Sequence, residues 1–382
     1  MNMSPALITA LISFAIAAIL VVWSLVGGCA KTSARCRARK RHDLSRHQAN
    51  PIISPAGHRD WEAEGTFNPG AVEDRKGIVH LFYRAIGRDG ISRVGHTSSK
   101  DGRHFDVRSP YAVYEPVPGY GMPEASEANL PHNHDLGAHP SGGGWGGAED
   151  PRTVRIGDRV YMTYTAFEGW DNMRIAVTSI ALDDLEKNKW KWKRPVLLSP
   201  KGAPAKNWVI FPEKIHGRYA ILHGSAPRIM IAYVDSPDMV PSIESLRAHG
   251  GWGYADKSRA GYWDSRVRGA GAPPIKTDIG WLLLYHAIDA RDSKHVVGYK
   301  VGAMILDLDN PSKVLYRSPE PILSPDMNYE NDGKPGVVYA TGAVVRDGKL
   351  LVYYGGGDKH TCLAETPLQP LLEWLMAYGK VG

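Results

Sequence analysis

The chain has 382 residues, 43% of them hydrophobic, which allows one large domain or two ordinary ones with a substantial core. The formal net charge of +6 is carried by residues 31–46 alone, which hold seven Lys or Arg against one Asp, so the rest of the chain is formally neutral. This charge pattern excludes a nucleic-acid-binding body, and nucleic acid is not expected as a partner. The 41 Gly, 27 Pro and 11 Trp favour short strands and frequent turns over long helices.

The N-terminal stretch from Ala6 to Gly28 is uncharged, apolar and long enough to span hydrocarbon as a helix. A cleaved signal peptide is the alternative, but no Lys or Arg precedes the stretch and its apolar core is long for a leader. Basic residues follow it, and the positive-inside bias then places the body in the cytoplasm. The sequence therefore predicts a transmembrane anchor at 1–30, a basic juxtamembrane linker at 31–49 and a single-pass, membrane-anchored protein.

After the linker, one pattern recurs five times: an apolar run, a tight polar turn and a second apolar run that ends in an aromatic residue or His. The copies are NPGAVEDRKGIVHLFYRA, DPRTVRIGDRVYMTYTA, FPEKIHGRYAILHG, PPIKTDIGWLLLYHA and TGAVVRDGKLLVYYGG. A third apolar run follows each copy, and the turns have hairpin chemistry. Five such meanders predict an all-β fold, a five-bladed β-propeller over residues 50–366. A two-sheet sandwich is the competing architecture, but it does not require five equivalent hairpins.

The C-terminal tail, 367–382, has apolar residues at helical spacing and predicts a short helix. Two roles remain open for this helix. It packs on a blade, or it mediates a homo-oligomer.

Propeller geometry predicts that polar residues at equivalent strand ends converge on one mouth. Strand starts contribute Asn68, Asp150, Glu213 with Lys214, Pro273 and Thr341, and strand ends contribute Arg84, Thr165, His223, His286 and Asp358. Carboxylates with aromatic walls suit a sugar, and two carboxylates are the usual requirement for cleaving a glycosidic bond. Cations beside a single acid instead suggest a bound anion such as phosphate, serving as the nucleophile.

Other site chemistries are not supported by the sequence. GGGWGG is not followed by the Gly-Lys-Ser/Thr of a phosphate-binding loop, and no G-x-S-x-G elbow occurs. The run HNHDLGAH lies in a Gly- and Pro-rich insert without strand or helix periodicity, which favours a solvated loop over a zinc site. No metal and no cofactor are predicted.

Stretches of every repeat together carry a family resemblance. They include FNPGA, FYRAIGRDGISRVG, GGAEDPRTV, NWVIFPEKIHGRYAILH, GAGAPPIKTDIGWLLLYHAID and YATGAVVRDGKLLVYYGGGD. From about Asn50 to Thr366 the chain resembles glycoside hydrolase family 130, the mannoside phosphorylases and related mannosidases. The resemblance implies a five-bladed propeller, in agreement with the repeat count. It further implies that Asp150 is the proton donor, acting on the glycosidic oxygen through a sugar hydroxyl, while inorganic phosphate attacks the opposite face of the anomeric carbon.

The resemblance also implies roles for the remaining site residues. Phosphate would be held by Lys214, His286, Tyr299 and Asn207, and the mannosyl ring by Asn68, Arg84 and Asp358. Arg152 would orient Asp150 or form a structural salt bridge, and Glu149 would be a hydrogen-bonding neighbour in the substrate site. A proton donor needs a raised pKa, which Glu149 favours and Arg152 opposes; the sequence leaves that balance open.

The leading functional hypothesis is an inverting β-mannoside phosphorylase whose substrates are a β-mannoside oligosaccharide and inorganic phosphate. An inverting β-mannosidase, with Glu213 as a base for water, is the first alternative. The second is a non-catalytic sugar-binding propeller tethered to the membrane.

Overall fold

The structure is a computed structural model that describes residues 41–122, 133–224, 229–242, 245–246, 258–290 and 298–381. The chain divides into two units, Met1–His42 and Asp43–Gly382, and the second contains every element described here. Its strands form five antiparallel meanders, which we call blades 1 to 5. The all-β, five-bladed prediction is confirmed for this unit.

The blades follow one another along the chain. Blade 1 contains β2 (Gly65–Glu73), β3 (Val79–Ile86) and β4 (Ile91–Ser99). Blade 2 contains β5 (Gly146–Ile156), β6 (Arg159–Phe167), β7 (Met173–Ala181), the short helix α1 (Leu182–Leu185) and β8 (Val196–Leu197). Blade 3 contains β9 (Val209–Ile215), β10 (Arg218–His223) and β11 (Met230–Val234). Blade 4 contains β12 (Arg266–Ala270), β13 (Ile275–Thr277), β14 (Gly280–Ile288), β15 (Tyr299–Leu306) and β16 (Val314–Arg317). Blade 5 contains β17 (Val338–Arg346), β18 (Lys349–Gly356), β19 (His360–Pro367) and the early strand β1 (Ser45–Arg46); helix α2 (Leu368–Tyr378) follows. Two 3-10 turns, Asp60–Glu62 and Asn328–Glu330, complete the set.

Apolar side chains pack between consecutive blades and close the ring. Each interface buries its own cluster, represented by Phe82 with Met162, Ile175 with Ile221, Phe211 with Leu283, Leu284 with Val352, and Leu351 with Leu81. The last of these pairs joins blade 5 to blade 1. Because every blade is covered on both faces, central strands such as β3 are buried along their whole length, which accounts for the continuous apolar runs in the sequence.

The early strand β1 completes blade 5, because it pairs antiparallel with β19, placing Ser45 opposite Glu365. Arg46 anchors it through two of its three guanidinium nitrogens, which donate to the carboxylate of the buried Glu330, Nε at 2.7 Å and one terminal nitrogen at 2.9 Å. The end of the segment assigned to the linker is therefore part of the propeller, and that boundary is corrected.

The prediction of a transmembrane helix and of a membrane-anchored protein is corrected as well. No helix within the described ranges is long and apolar enough to cross a membrane. The longest of them, α2, has 11 residues, whereas a helix needs about 20 to cross the hydrocarbon core. The stretch at 1–30 that carried the prediction lies outside the described residues.

Bulges at the starts of the inner strands aim polar side chains at a common point. The pairing register shifts between Phe67 and Gly70 in blade 1 and between Glu149 and Arg152 in blade 2. The bulged residues Asn68 and Asp150 have φ of 48° and 52°, a left-handed conformation that Asn and Asp tolerate better than most residues. Bulges of this kind re-aim a side chain away from the regular alternation of the strand, and here they form the base of the site.

Candidate functional site

A single cavity of about 120 Å³ gathers residues from all five repeats. Its lining consists of Asn68, Arg84, Pro140, Ser141, Gly142, Asp150, Trp170, Lys206, Arg268, Tyr299, Lys334, Val337, Tyr339 and Asp358. Five of the ten predicted site residues line it directly, which are Asn68, Arg84, Asp150, Tyr299 and Asp358. Four others, Glu149, Arg152, Asn207 and His286, are buried among or behind this lining, and Lys214 lies elsewhere.

The carboxylate of Asp150 is held by two donors at the base of the cavity. Its Oδ1 accepts hydrogen bonds from Asn68 Nδ2 at 2.8 Å and from the Arg84 guanidinium at 3.3 Å. Burial raises the pKa of Asp150, but the charges of Arg84, Lys206 and Arg152 and the bond from Asn68 outweigh it, so the pKa lies below its usual value. In the free protein Asp150 is therefore an ionised carboxylate at neutral pH.

Glu149 is fully buried behind this wall and holds two cations in place. Its Oε1 accepts a bond from Arg84 at 2.8 Å. Its Oε2 accepts bonds from Ser141 Oγ at 2.8 Å and from Lys206 Nζ at 2.9 Å. With both oxygens engaged by protein donors, Glu149 holds two of the cavity's cations, and its assignment to the substrate site stays a prediction.

Asp358 is the second carboxylate of the cavity and has a left-handed φ of 50° at the end of β18. Burial and the negative charge of Asp150 raise the pKa of Asp358, and Lys334, whose ammonium lies 3.5 Å from its Oδ2, opposes this rise. Lys334 also donates to the carbonyl of Pro140 at 2.9 Å. One lysine thus ties the end of the insert to the carboxylate of Asp358.

Arg152 contacts the main chain and Asn207, and no ion pair to the carboxylate of Asp150 forms. Its Nε donates to the carbonyl of Gly271 at 2.9 Å, and a terminal nitrogen donates to Asn207 Oδ1 at 2.8 Å. Tyr339 OH donates to the same amide oxygen at 2.7 Å. The guanidinium thus ties blades 2 and 4 to the Asn207 side chain, which Tyr339 of blade 5 also contacts. A terminal nitrogen of Arg152 also lies 3.5 Å from the main-chain carbonyl of Asp150, and its role in orienting Asp150 stays a prediction.

His286 lies behind Tyr339, with the two rings stacked 3.8 Å apart at 12°. Burial lowers the pKa of His286 to about 3, and the charge of Arg152 adds to the effect. The imidazole is therefore neutral at physiological pH and is not part of the cavity lining. The imidazole therefore lies behind Tyr339, and its contact with phosphate stays a prediction.

Lys214 lies on the exposed part of β9, with its ammonium 5.3 Å from the centre of the Tyr219 ring. The sequence pattern aligned Pro212 with Pro69 and Pro151, but β9 already begins at Val209. The structural counterpart of Asn68 and Asp150 is Asn207, which has the same left-handed backbone at φ 66°. The cation of this repeat that reaches the cavity is Lys206, not Lys214.

Sequence reasoning missed Lys206, Arg268, Lys334 and Trp170. Lys206 immediately precedes Asn207, to which the family resemblance had pointed, and that adjacency was a usable signal. Arg268 lies at a bulge of β12, five residues before the position assigned as the strand start of this repeat. Its Nε donates to Tyr299 OH at 3.1 Å, which places the guanidinium and the phenol side by side in the cavity wall.

Glu213, the candidate base for a hydrolase, is half-exposed and pairs with Lys276 at 2.5 Å on the protein surface. It is not part of the cavity lining. Among the described ranges, no group of three or more His, Cys, Asp or Glu residues is placed to hold a metal ion.

Comparisons with known proteins place the chain among mannoside phosphorylases in sequence and in fold. The family model Glyco_hydro_130, described as beta-1,4-mannooligosaccharide phosphorylase, matches residues 140–377. A 1,2-beta-oligomannan phosphorylase of Thermoanaerobacter sp. (strain X514) is 35% identical over 329 residues, 82% of this chain and 94% of that protein. A beta-1,2-mannobiose phosphorylase of the same organism is 33% identical, over 84% of this chain and 96% of that protein. The solved structure of beta-1,2-mannobiose phosphorylase from Listeria innocua, in complex with beta-1,2-mannobiose, has the same fold, with a TM-score of 0.65 and 24% identity over 87% of this chain and 99% of that one.

Proposed function

The chain belongs to glycoside hydrolase family 130, and on this premise we propose that it is an inverting β-mannoside phosphorylase. It transfers the terminal mannosyl unit of a β-mannoside oligosaccharide to inorganic phosphate and releases α-mannose 1-phosphate. The relatives with 35% and 33% identity are named for β-1,2-linked substrates, which favours that linkage for this chain.

The observation that carries the proposal is the charge of the cavity. Its lining has four cations, Arg84, Lys206, Arg268 and Lys334, against two carboxylates, Asp150 and Asp358, which leaves 4 − 2 = +2. Adding the buried neighbours Glu149 and Arg152 does not change this sum. A hydrogen phosphate dianion balances the excess, whereas neutral water does not. The mannosidase alternative is also weakened, because its candidate base, Glu213, lies on the protein surface and not in the cavity.

We assign the phosphate to the side of the cavity formed by Arg268, Tyr299 and Lys206. Arg268 offers guanidinium donors suited to phosphate oxygens, and Lys206 adds a compact charge whose position is set by Glu149 and Ser141. The mannosyl ring is assigned to the deep wall of Asn68, Arg84, Asp150 and Asp358. Asn68, Arg84 and Asp150 are buried and Asp358 is 13% exposed, and together they offer both donors and acceptors for sugar hydroxyls.

The proton balance explains how a carboxylate with a lowered pKa serves as the donor. The bond from the anomeric carbon to the leaving oxygen breaks, and a bond to a phosphate oxygen forms on the opposite face, which inverts the configuration. Bound phosphate neutralises the cations that lower the pKa of Asp150, so this carboxyl takes up one proton from solvent when the ternary complex forms and delivers it through a sugar hydroxyl to the leaving oxygen. The phosphate ester gives its own proton to solvent and keeps two negative charges, and Asp150 returns to its ionised form, so one proton moves in total from hydrogen phosphate to the leaving sugar.

The experiment is a panel of β-1,2- and β-1,4-mannobiose incubated with the full-length protein, with and without inorganic phosphate. Mannose 1-phosphate, detected by phosphorus NMR, is expected only when phosphate is present, and faster from the β-1,2-linked sugar. Free mannose formed at the same rate without phosphate would identify a mannosidase. Binding by calorimetry without either product would favour the sugar-binding alternative.

A further inference from the structure

The proposed function requires a place for the sugar that leaves, and this inference rests on that function. We propose that Trp170 is the platform on which the leaving sugar packs, and that it sets which acceptor sugars the enzyme uses.

Depth within the cavity separates the two sugars. Asn68, Arg84 and Asp150 are 3%, 2% and 5% exposed, whereas Trp170 lines the same cavity and is 50% exposed. A mannosyl unit that reaches the deep carboxylates leaves the rest of the oligosaccharide at the mouth. The side chain with a large uncovered apolar surface at that mouth is Trp170.

The hairpin between β6 and β7 holds Trp170 in a defined position. The loop is closed by a bond from the Glu168 amide to the Asn172 carbonyl at 3.2 Å and by a bond from Asn172 Nδ2 to Glu168 Oε2 at 2.6 Å. The indole and the Phe167 ring pack in a T-shaped arrangement, with ring centres 5.5 Å apart at 80°. Because the hairpin is ordered without burying the whole indole, part of a flat aromatic surface remains available at the cavity mouth.

A pyranose suits this surface better than phosphate does. One face of a sugar ring presents C–H groups that pack on an aromatic ring, and pockets for such ligands combine aromatic walls with a few polar groups. Phosphate instead needs charged donors, which Arg268 and Lys206 supply. A competing role for Trp170 exists, since the Lys206 ammonium lies 5.4 Å from its ring centre and the indole helps to position that cation. The two roles predict different kinetic effects.

The test runs the reaction in reverse, with mannose 1-phosphate as donor and mannose or mannobiose as acceptor. In Trp170→Ala we expect the KM for the acceptor to rise about tenfold, the change that ~1.4 kcal/mol of lost binding produces. The KM values for mannose 1-phosphate and for phosphate should stay within about twofold, because Arg268 does not depend on the indole and Lys206 is held by Glu149 and Ser141 when the indole is removed. Trp170→Phe should keep most of the acceptor affinity. The matched control is Tyr262→Ala, an aromatic residue that is 51% exposed and does not line the cavity.

Titration of the protein with mannose alone provides a second readout. Its intrinsic fluorescence should change in the wild type and not in Trp170→Phe, and thermal unfolding would show that both variants are folded. An unchanged acceptor KM in Trp170→Ala, or a rise confined to phosphate, overturns the platform role while leaving phosphorolysis intact. If the wild type forms no mannose 1-phosphate, the proposed function fails instead.

Discussion

The ammonium of Lys206, in the cavity wall, donates a hydrogen bond at 2.9 Å to Oε2 of the fully buried Glu149. The same carboxylate accepts a bond from Arg84, so one buried acid positions two of the four cations that line the cavity. Glu149 thereby connects the folding of the site to its affinity for an anion, although it has no free oxygen for a substrate.

Removing the charge of Glu149 should weaken both stability and phosphorolysis. Glu149→Gln keeps the shape but leaves Arg84 and Lys206 without their buried counter-charge, and breaking such a pair costs about 3 kcal/mol. Urea unfolding should report that loss, and kcat/KM should fall about 100-fold because both cations lose their fixed position. Glu213→Gln, which removes the surface partner of Lys276, is the matched control and should change stability by less than about 0.5 kcal/mol. Equal effects of the two substitutions would contradict the role given to Glu149.

The proposed phosphate site is tested by removing two cations in separate variants, Arg268 from the cavity wall and Lys214, which the sequence had predicted. Arg268→Met removes a guanidinium from the cavity wall, and the KM for phosphate should rise about 100-fold, in line with ~3 kcal/mol for a charged hydrogen bond. Lys214→Met removes an exposed cation from β9 and should leave that KM unchanged. Initial rates measured at varied phosphate concentrations give the KM for phosphate in both variants. A larger effect of Lys214→Met would restore the assignment made from the sequence.

The two carboxylates of the cavity should titrate as neighbours. Burial raises the pKa of Asp358, and the negative charge of Asp150 raises it further. In Asp150→Asn that charge is absent, so we expect the pKa of Asp358 to fall, as measured by carboxyl carbon NMR on labelled protein. Phosphorolysis by this variant should drop by about 10²- to 10⁴-fold, the usual contribution of a general acid. Asp332→Asn, which alters an exposed partner of Lys359, should change neither quantity.

Buried His286 should make the protein less stable in acid. The pKa of His286 is lowered to about 3, so between pH 6.5 and pH 3 the unfolded chain binds a proton there that the folded chain does not. Stability from this group is therefore present above pH 6.5 and lost as the pH falls toward 3. From pH 7 to pH 5 the loss is about 2 kcal/mol. In His286→Phe, which preserves a ring against Tyr339, the loss of unfolding free energy between pH 7 and pH 5 should be smaller by that amount. Urea unfolding at the two pH values measures it.

An exposed histidine supplies the control for this prediction. The bond to Asp101 raises the pKa of His104. Its effect on stability therefore has the opposite pH dependence to that of His286, because the stabilisation is present at low pH and lost as the pH rises through the raised pKa. His104→Gln should therefore not reduce the acid sensitivity. If His286→Phe loses as much stability in acid as the wild type, the burial of the neutral His286 imidazole does not contribute to the acid sensitivity.

Local patterns in the sequence were enough to predict the blades. Turns such as those between β2 and β3 or between β17 and β18 depend on a few neighbouring residues, and continuous apolar strands identify elements covered on both faces. Asn68, Asp150 and Asp358 were also predicted from their repeated place at strand ends. These signals are local, because each lies within one hairpin, and the same hairpin recurs in all five blades.

Tertiary structure alone decided which cations and which aromatic residue reach the cavity. Lys206 lies three residues before β9 and Lys214 next to its last residue, and the course of the strand brings the first to the cavity and leaves the second in solvent. Lys334 meets the carbonyl of Pro140 across 194 residues of sequence, a contact that no local pattern encodes. The pKa of Asp150 depends likewise on three cations from separate segments. The sequence by itself determined the repeated hairpins and the acids at their ends, because both follow from short-range chemistry. Closure of the ring decided the net charge of the site and the burial of its side chains, because both depend on residues from distant segments that only the fold brings together.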